Sequence, residues 1–257
     1  MTHGICTQSM APIRAEASHK SEMVSQLLFG ELFEIIETQN EWVRICNEYD
    51  GYKGWLLAAQ CHTTDIYEYE KIKRDSYNVC YDLVGVIQLD DPFPIVLGSN
   101  LPFLNKETFN IGNKMYAYKG AFRNIAHCIQ NPNKIMEDAL MYLNAPYLWG
   151  GRSPFGIDCS GFTQLVYKLS GIRLKRDAYE QAETGIQIHL LDESQTGDLA
   201  FFENSDGKIS HVGIIMSPHK IIHASGKVRI DKIDHFGIYN AETKKYSHKL
   251  RLIKRIL

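Results

Sequence analysis

Short apolar segments that alternate with polar residues dominate the first part of the chain. The segments "ELFEIIET" (31–38) and "EWVRICNE" (41–48) carry β-branched and aromatic residues in partial alternation, and "YDGYKGWLLAAQ" (49–60) adds a glycine turn and a further strand. This pattern is typical of half-buried strands, and short strands at this spacing favour a small barrel. We therefore predict a small β-barrel domain over residues 1–62.

The pattern then changes twice. Residues 63–75 are polar and charged, "TTDIYEYEKIKRD", and we predict that they connect two domains. Residues 76–126 again have the pattern of short strands, which prolines and glycines interrupt. We predict a linker plus a second small SH3-like β domain over residues 63–130.

Helical periodicity begins at residue 131. Asn131 can cap a helix and Pro132 can occupy its first turn. The predicted apolar stripe of this helix consists of Ile135, Ala139, Leu140 and Leu143, and Pro146 lies beyond its end. A second helix is predicted to start near Cys159 and to end before Gly171, with an apolar stripe of Phe162, Leu165, Val166 and Leu169.

Three apolar runs follow the helices. They are "DLAFF" (198–202), "HVGIIM" (211–216) and "KIIHAS" (220–225), and they are typical of neighbouring strands in one antiparallel sheet. Helices followed by strands indicate an α+β domain over residues 131–257.

Composition and charge narrow the function. The chain has 257 residues, 44% hydrophobic and 23% charged, with a formal net charge of -2 and no basic run. This balance predicts globular domains and disfavours nucleic acid or a membrane surface as partner. No apolar segment approaches the length of a membrane span. The N-terminus lacks the pattern of a secretory signal, so we expect a cytoplasmic protein.

The cysteines and histidines argue against a metal. None of the six cysteines lies in a C-x-x-C pair, and in a chain without a secretory signal we expect reduced thiols. His62, His189 and His235 are too scattered for metal-ligand spacing. We predict no metal and no cofactor.

One cysteine stands in a chemically suggestive place. Cys159 lies in "GIDCSGFTQLVY" (156–167), after glycines and before the apolar repeat of a helix. Unpaired N–H groups and the helix dipole at a helix N-terminus favour a thiolate, so we expect a lowered thiol pKa. The alternative is that Cys159 is only a small buried residue at a helix start.

Two histidines can serve that thiol if the strand register is right. If residues 217–219 form a three-residue hairpin loop, Gly213 faces His223. His211 then shares a face with His223 and lies diagonally beside it, roughly 7–8 Å away at Cα. A two-residue loop would move the two histidines to opposite faces. We predict the three-residue loop, so that one imidazole deprotonates the thiol and the second orients the first.

The ordered segments resemble a known family. Residues 131–257 resemble the NlpC/P60 family of papain-like cysteine peptidases through "APYLWGGRSPFGIDCSGFTQLVY" (145–167), "RDAYEQAETG" (176–185), "TGDLAFF" (196–202), "SHVGIIM" (210–216) and "IIHASG" (221–226). The run "NEWVRICNEYDGYKGWL" resembles bacterial SH3b domains. The resemblance implies Cys159 as nucleophile, His211 as base and His223 as the residue that orients the base.

The same resemblance suggests a substrate. The family cuts cell-wall stem peptides, typically between γ-D-glutamate and a diamino acid. Members with SH3b domains before the catalytic domain resemble the dipeptidyl-peptidases of murein recycling, which act on free peptides that begin with L-Ala. We therefore predict murein peptides as the partner of a monomeric enzyme.

The resemblance also points to residues that bind substrate. It implies this role for Asp158 and Tyr147, for Tyr52 in the pocket lining, and for Glu48 as the acid that pairs with the substrate amine. We add Ser160 as a substrate contact. An ammonium group in a half-buried pocket needs a carboxylate and hydrogen bonds.

Further roles concern the cleft. The Cys159 N–H and one further donor, for which the Tyr147 hydroxyl is a candidate, are expected to bind the oxyanion. Trp149 is expected in the core. Arg176 and Asp177 are expected to be a solvated pair rather than substrate contacts.

Two other functions stay open on the sequence. The first keeps the same catalytic groups in a secreted hydrolase of intact peptidoglycan. The second is a non-catalytic module that binds peptides through its β domains.

Overall fold

The computed structural model describes residues 2–75, 77–88, 91–128 and 130–257. Its contacts divide the chain into two compact units, one of Met1–Cys128 with Trp149–Pro154, the other of Ile129–Leu148 with Phe155–Leu257. Within the described ranges, no helix is both long and apolar enough to cross a membrane.

A seven-stranded antiparallel sheet opens the first unit. Its strands are β1 (Thr2–Ile5), β2 (Met10–Arg14), β3 (Met23–Leu28), β4 (Leu32–Gln39), β5 (Trp42–Asn47), β6 (Lys53–Leu57) and β7 (His62–Thr64), in the order β3-β2-β6-β5-β4-β1-β7. The strands predicted at 31–38 and 41–48 are confirmed as β4 and β5, which pair as a hairpin. Alternate residues of these strands fill a core that includes Phe33, Val43, Ile45 and Leu56.

The rest of the first unit contains smaller sheets. They are built from β8 (Asn78–Cys80), β9 (Val84–Gln88), β10 (Phe93–Val96), β11 (Thr108–Ile111), β12 (Lys114–Tyr118) and β13 (Phe122–Asn124). Four of these strands form a sheet in the order β10-β9-β12-β11, and β13 pairs with β8. The strand-like texture predicted for residues 76–126 is confirmed in its described part.

The segment predicted as a connection contains a helix, α1 (Ile66–Asp75). The Asp65 carboxylate accepts a hydrogen bond from the Glu68 N–H at 2.8 Å, which caps the first turn. Tyr69 and Ile72 bury one face of α1 in a cluster that also includes Ile5 of β1. The seven-stranded sheet and the four-stranded sheet therefore share a core, because the same cluster also includes Ile87 of β9.

Residues 149–154 belong to the first unit by their contacts. The Arg152 guanidinium is fully buried and donates to both carboxylate oxygens of Glu31 at 2.8 and 3.0 Å. Gly150 has a φ of 75°, and a Cβ there would collide with the Met23 carbonyl. Trp149 is 58% exposed and its indole N–H donates to Glu22, so its predicted place in the core is wrong.

The second unit begins with helices and ends with strands, as predicted. Its helices are α2 (Pro132–Met141), α3 (Cys159–Leu169) and α4 (Ala178–Gln181). The 3₁₀ turns of the described chain are at Ala58–Gln60 and Ile125–His127 in the first unit and at Leu191–Glu193 in the second. The strands after residue 150 are β14 (Arg152–Ser153), β15 (Gly156–Ile157), β16 (Ile186–Ile188), β17 (Leu199–Glu203), β18 (Ile209–Ser217), β19 (Lys220–Ser225), β20 (Lys227–Asp234), β21 (Gly237–Asn240) and β22 (Lys245–Arg255).

The sheet of the second unit closes on itself. Its order is β16-β22-β17-β18-β19-β20-β21, and β21 also pairs with β22. The long strand β22 therefore contacts β17 and β21, which are the two ends of the β17–β21 meander. This closure brings residues of β22 next to the hairpin that carries the predicted histidines.

Local signals at the helix ends are confirmed. The Asn131 side chain accepts from the Asn133 N–H at 2.8 Å, and Pro132 starts α2. Every residue of α3 is buried, including its predicted apolar stripe. The stripe of α2 is only partly right, because Ile135 and Ala139 are buried whereas Leu140 and Leu143 are exposed.

The hairpin between β18 and β19 differs from its prediction in one detail. Ser217 pairs with Lys220, so the loop contains two residues rather than three. A register shift between Ile215 and Ser217 adds one residue to β18 and compensates for the shorter loop. Gly213 therefore still faces His223, as predicted.

Candidate active site

The thiol of Cys159 lies at the first residue of α3. The preceding residue, Asp158, is the N-cap and accepts from the Gly161 N–H at 2.7 Å. The thiol is almost completely buried, and the backbone N–H groups of Val212 and Ser160 interact with its sulfur. Because Val212 follows His211 in β18, the sulfur lies against the strand that carries the first predicted histidine.

Both predicted histidines lie on one face of the β18–β19 hairpin. His211 Nε2 and His223 Nδ1 are 2.8 Å apart, and His223 Nε2 is 3.0 Å from an Asp231 carboxylate oxygen on β20. A Cβ on Gly213 would lie 2.8 Å from the His223 Cβ, so glycine leaves room for the ring. The prediction that these imidazoles are adjacent is confirmed.

The carboxylate of Asp231 sets the tautomers along this chain. A carboxylate only accepts, so His223 Nε2 carries a proton and donates it to Asp231. A neutral His223 then has an unprotonated Nδ1, which accepts from the His211 Nε2–H. The remaining nitrogen of His211, Nδ1, is therefore an unprotonated base. A hydrogen-bonded chain of this kind can take a proton from a thiol.

Burial determines the charge state of the pair. Burial, together with the charge of Asp158, raises the pKa of the Cys159 thiol to about 12, against the opposing effects of nearby N–H groups and Arg176. Burial also lowers the pKa of His211 well below its usual value. The expectation of a lowered thiol pKa is thus wrong for this state, because desolvation outweighs the helix terminus. The thiol and its base are both neutral.

A neutral pair has a measurable consequence. We expect alkylation of Cys159 by iodoacetamide to keep accelerating between about pH 6 and about pH 9, because the thiolate fraction rises throughout that range. Site-resolved mass spectrometry separates this cysteine from the other five. A rate that levels off near neutral pH would instead indicate a preformed thiolate–imidazolium pair.

A buried polar cluster surrounds the start of α3. Arg176 is 1% exposed and donates to both oxygens of Asp158 at 2.6 and 3.1 Å. It also donates to the Ser160 hydroxyl at 2.9 Å. The expectation of a solvated Arg176–Asp177 pair is wrong, because Arg176 is buried and bound to Asp158, while Asp177 caps α4. This cluster holds the backbone that carries Cys159.

The other predicted contacts lie in both units. Tyr147 is partly buried, and burial together with the charges of Cys159 and Asp158 raises its pKa to about 12, so its phenol lies near both groups. Tyr52 and Glu48 lie in the first unit, at the turn between β5 and β6, and a Glu48 carboxylate oxygen is 3.5 Å from Lys73 Nζ. Their contact with substrate stays a prediction.

Three site residues were not predicted. Asp231 anchors His223, and the Arg229 side chain donates to both oxygens of that carboxylate at 2.7 and 3.0 Å. His248 of β22 stacks on His211 with ring centroids 4.0 Å apart. The sequence carries a signal for Asp231, because Gly226 turns the chain and places position 231 diagonally from His223. It carries none for His248, which arrives through closure of the sheet.

A buried thiol at a helix start, packed against a sheet that carries a hydrogen-bonded imidazole pair, defines a papain-like cysteine peptidase. Residues 144–249 match the NlpC/P60 family, and residues 13–60 match the bacterial dipeptidyl-peptidase Sh3 domain. The gamma-D-glutamyl-L-lysine dipeptidyl-peptidase of Bacillus subtilis is 30% identical over 78% of this chain and 71% of its own length. The chain belongs to the NlpC/P60 family of cysteine peptidases.

Two further comparisons agree. Dipeptidyl-peptidase 6 of Lysinibacillus sphaericus is 26% identical over 90% of this chain and 92% of its own length. The crystal structure of an NlpC/P60 family protein from Bacillus cereus superposes with a TM-score of 0.85 over 99% of both chains, at 19% identity. The likeness extends over both units, and the fold is a papain-like domain preceded by an SH3-like, β-rich domain.

Proposed function

We propose that this enzyme hydrolyses the bond between γ-D-glutamate and the following diamino acid in free murein peptides that begin with L-Ala. The observation that carries the proposal is the hydrogen-bonded chain from His211 through His223 to Asp231, beside the Cys159 thiol. The substrate rests on the relatives, whose names specify gamma-D-glutamyl-L-lysine dipeptidyl-peptidases. Cell-wall peptide recycling in the cytoplasm is part of the same proposal.

In the proposed first step, Cys159 attacks the γ-carbonyl carbon of D-glutamate. His211 Nδ1 takes the thiol proton as the carbon–sulfur bond forms, so no thiolate has to exist beforehand. The imidazolium is stabilised through His223 by the Asp231 carboxylate. The Cys159 N–H and the Tyr147 hydroxyl bind the developing oxyanion.

The second half of the reaction uses the same proton. His211 returns it to the amine of the leaving diamino acid, and the carbon–nitrogen bond breaks. Water then attacks the thioester, His211 accepts a water proton, and the sulfur leaves and is reprotonated. The products are L-Ala-γ-D-Glu and the diamino acid or the peptide that it begins.

We propose that acidic side chains recognise the free amine of the substrate. Asp158 already balances the charge of Arg176. We therefore propose that Asp158 mainly orients the start of α3 and attracts the substrate amine only weakly. Glu48 and Tyr52 are the proposed contacts from the SH3-like domain. Ser160, which is hydrogen-bonded to Arg176, is proposed to bind substrate from the floor of the site.

The test compares L-Ala-γ-D-Glu-L-Lys with its N-acetylated form. We expect cleavage of the free peptide and a loss of kcat/KM of about 100-fold or more on acetylation, because the substrate then lacks the charge that the proposed acid pairs with. The α-linked isomer is the matched control for the linkage. Its carbonyl is misplaced along the backbone, so we expect it to lose about 100-fold as well.

The outcomes separate the candidate functions. Equal cleavage of the free and acetylated peptides would contradict the proposed specificity and would favour a hydrolase of intact peptidoglycan. Failure to cleave any of the three peptides would favour the peptide-binding module.

A further inference from the structure

We propose that His211, His223 and His248 form a zinc-binding site through which Zn²⁺ inhibits the peptidase. One ring nitrogen of each histidine lies within 4.8 Å of the corresponding nitrogens of the other two. The prediction of no metal rested on His62, His189 and His235, which are too scattered for metal-ligand spacing, and it did not take His248 into account. The proposed ion is an inhibitor and not a resident cofactor.

The outer nitrogens of two of these rings are already held as a zinc site requires. His223 Nε2 faces Asp231, and His248 Nδ1 lies 2.8 Å from the Ser247 hydroxyl. Zinc-bound histidines usually donate their second N–H to a carboxylate or another acceptor, which fixes the ring. The nitrogens left for the metal are His223 Nδ1 and His248 Nε2, together with Nε2 of His211.

The spacing needs only a small adjustment. Tetrahedral ligands about 2.0 Å from zinc lie about 3.3 Å from one another. The distance between His211 Nε2 and His223 Nδ1, 2.8 Å, must lengthen slightly, while His248 must approach. His248 is the partly exposed member of the set, so its ring can move and the ion can enter from its side. Water completes the coordination.

The same geometry explains inhibition, and this part rests on the proposed function. Zinc on His211 Nε2 displaces the ring proton to Nδ1, with no net release of a proton. Nδ1 is the nitrogen proposed to take the proton of the Cys159 thiol, so the base is lost. The sulfur itself need not bind the ion.

The experiment measures Zn²⁺ binding by calorimetry on the inactive Cys159→Ser protein. Binding should persist in this variant, weaken about 10-fold when Ser247→Ala is added, and weaken further when His248→Asn is added. His189→Asn, at an exposed position, is the control and should change nothing. Circular dichroism verifies that each variant is folded.

Cobalt distinguishes the ligand sets in the wild-type protein. We expect tetrahedral Co²⁺ absorption without a thiolate-to-cobalt charge-transfer band. Zinc binding that disappears in Cys159→Ser, or that is unchanged by His248→Asn and Ser247→Ala, would overturn the proposal. Because these readouts need no substrate, they stand apart from any failure of the peptidase assay.

Discussion

Replacement of Cys159 by alanine is expected to abolish hydrolysis of L-Ala-γ-D-Glu-L-Lys, with a fall in kcat on the order of 10⁶-fold. The residual groups can polarise the carbonyl, but no atom remains that can form the covalent intermediate. Product release measured by chromatography with mass detection covers this range when the enzyme is used at high concentration.

The control for this variant is Cys61→Ala. Cys61 is a partly buried cysteine whose pKa is raised by burial, to about 11, and it belongs to the first unit. It should retain wild-type activity. Cleavage of the tripeptide by Cys159→Ala at more than a trace level would contradict the covalent mechanism.

The Asp231→Asn variant is expected to lose about 10³- to 10⁴-fold in kcat, with little change in KM. One oxygen of Asp231 accepts from both His223 and Arg229, and the other accepts from Arg229 as well. An amide has only one acceptor atom. The amide therefore cannot accept from all three of these donors, and because it is neutral it no longer stabilises the imidazolium that forms when His211 takes the thiol proton.

The control removes one negative charge elsewhere in the same unit. Asp206 lies in an exposed turn, so Asp206→Asn should leave kcat unchanged. The pH profile supplies a second readout. Burial lowers the pKa of both His211 and His223, so wild-type kcat/KM should fall only well below pH 6.5, where His211 becomes charged. A proportional rise in KM with an unchanged kcat would indicate that Asp231 serves substrate binding instead.

The parts of the site that follow local rules could be predicted from the sequence. A capping aspartate, a small-residue turn and an apolar stripe are sufficient to place Cys159 at the start of a buried helix. The pairing that brings His211 and His223 to one face of the hairpin was also predicted correctly, although from a loop of the wrong length. A shorter loop and a bulge near Met216 cancel each other, and no propensity distinguishes that combination from the three-residue loop.

The polar partners depend on contacts that are distant along the chain. Asp231 could have been found by extending the diagonal rule across the turn at Gly226. The stacking of His248 on His211 could not, because it requires the closure of the sheet between β21 and β22. The thiol pKa also escaped prediction, since the position in a helix can be inferred from sequence whereas the degree of desolvation cannot.

At helix α1 the amino-acid composition led to a wrong prediction. Residues 63–75 are polar enough to suggest a connection, but Tyr69 and Ile72 recur at helical spacing and Asp65 provides the cap. In the β regions the sequence pattern was sufficient to predict strands, because apolar and polar residues alternate even in short strands whose order in the sheet is unknown.

The buried pair of Arg152 and Glu31 limits how this enzyme can be dissected. A fragment that starts after residue 128 would retain the guanidinium and discard the carboxylate that neutralises it. It would also discard the residues that bury Arg152, because residues 149–154 belong to the first unit, so this segment would become exposed to solvent. Within the full chain, loss of Glu31 alone would leave a buried and unpaired guanidinium, which costs roughly 3–5 kcal/mol. Recombination between relatives must therefore inherit both residues together.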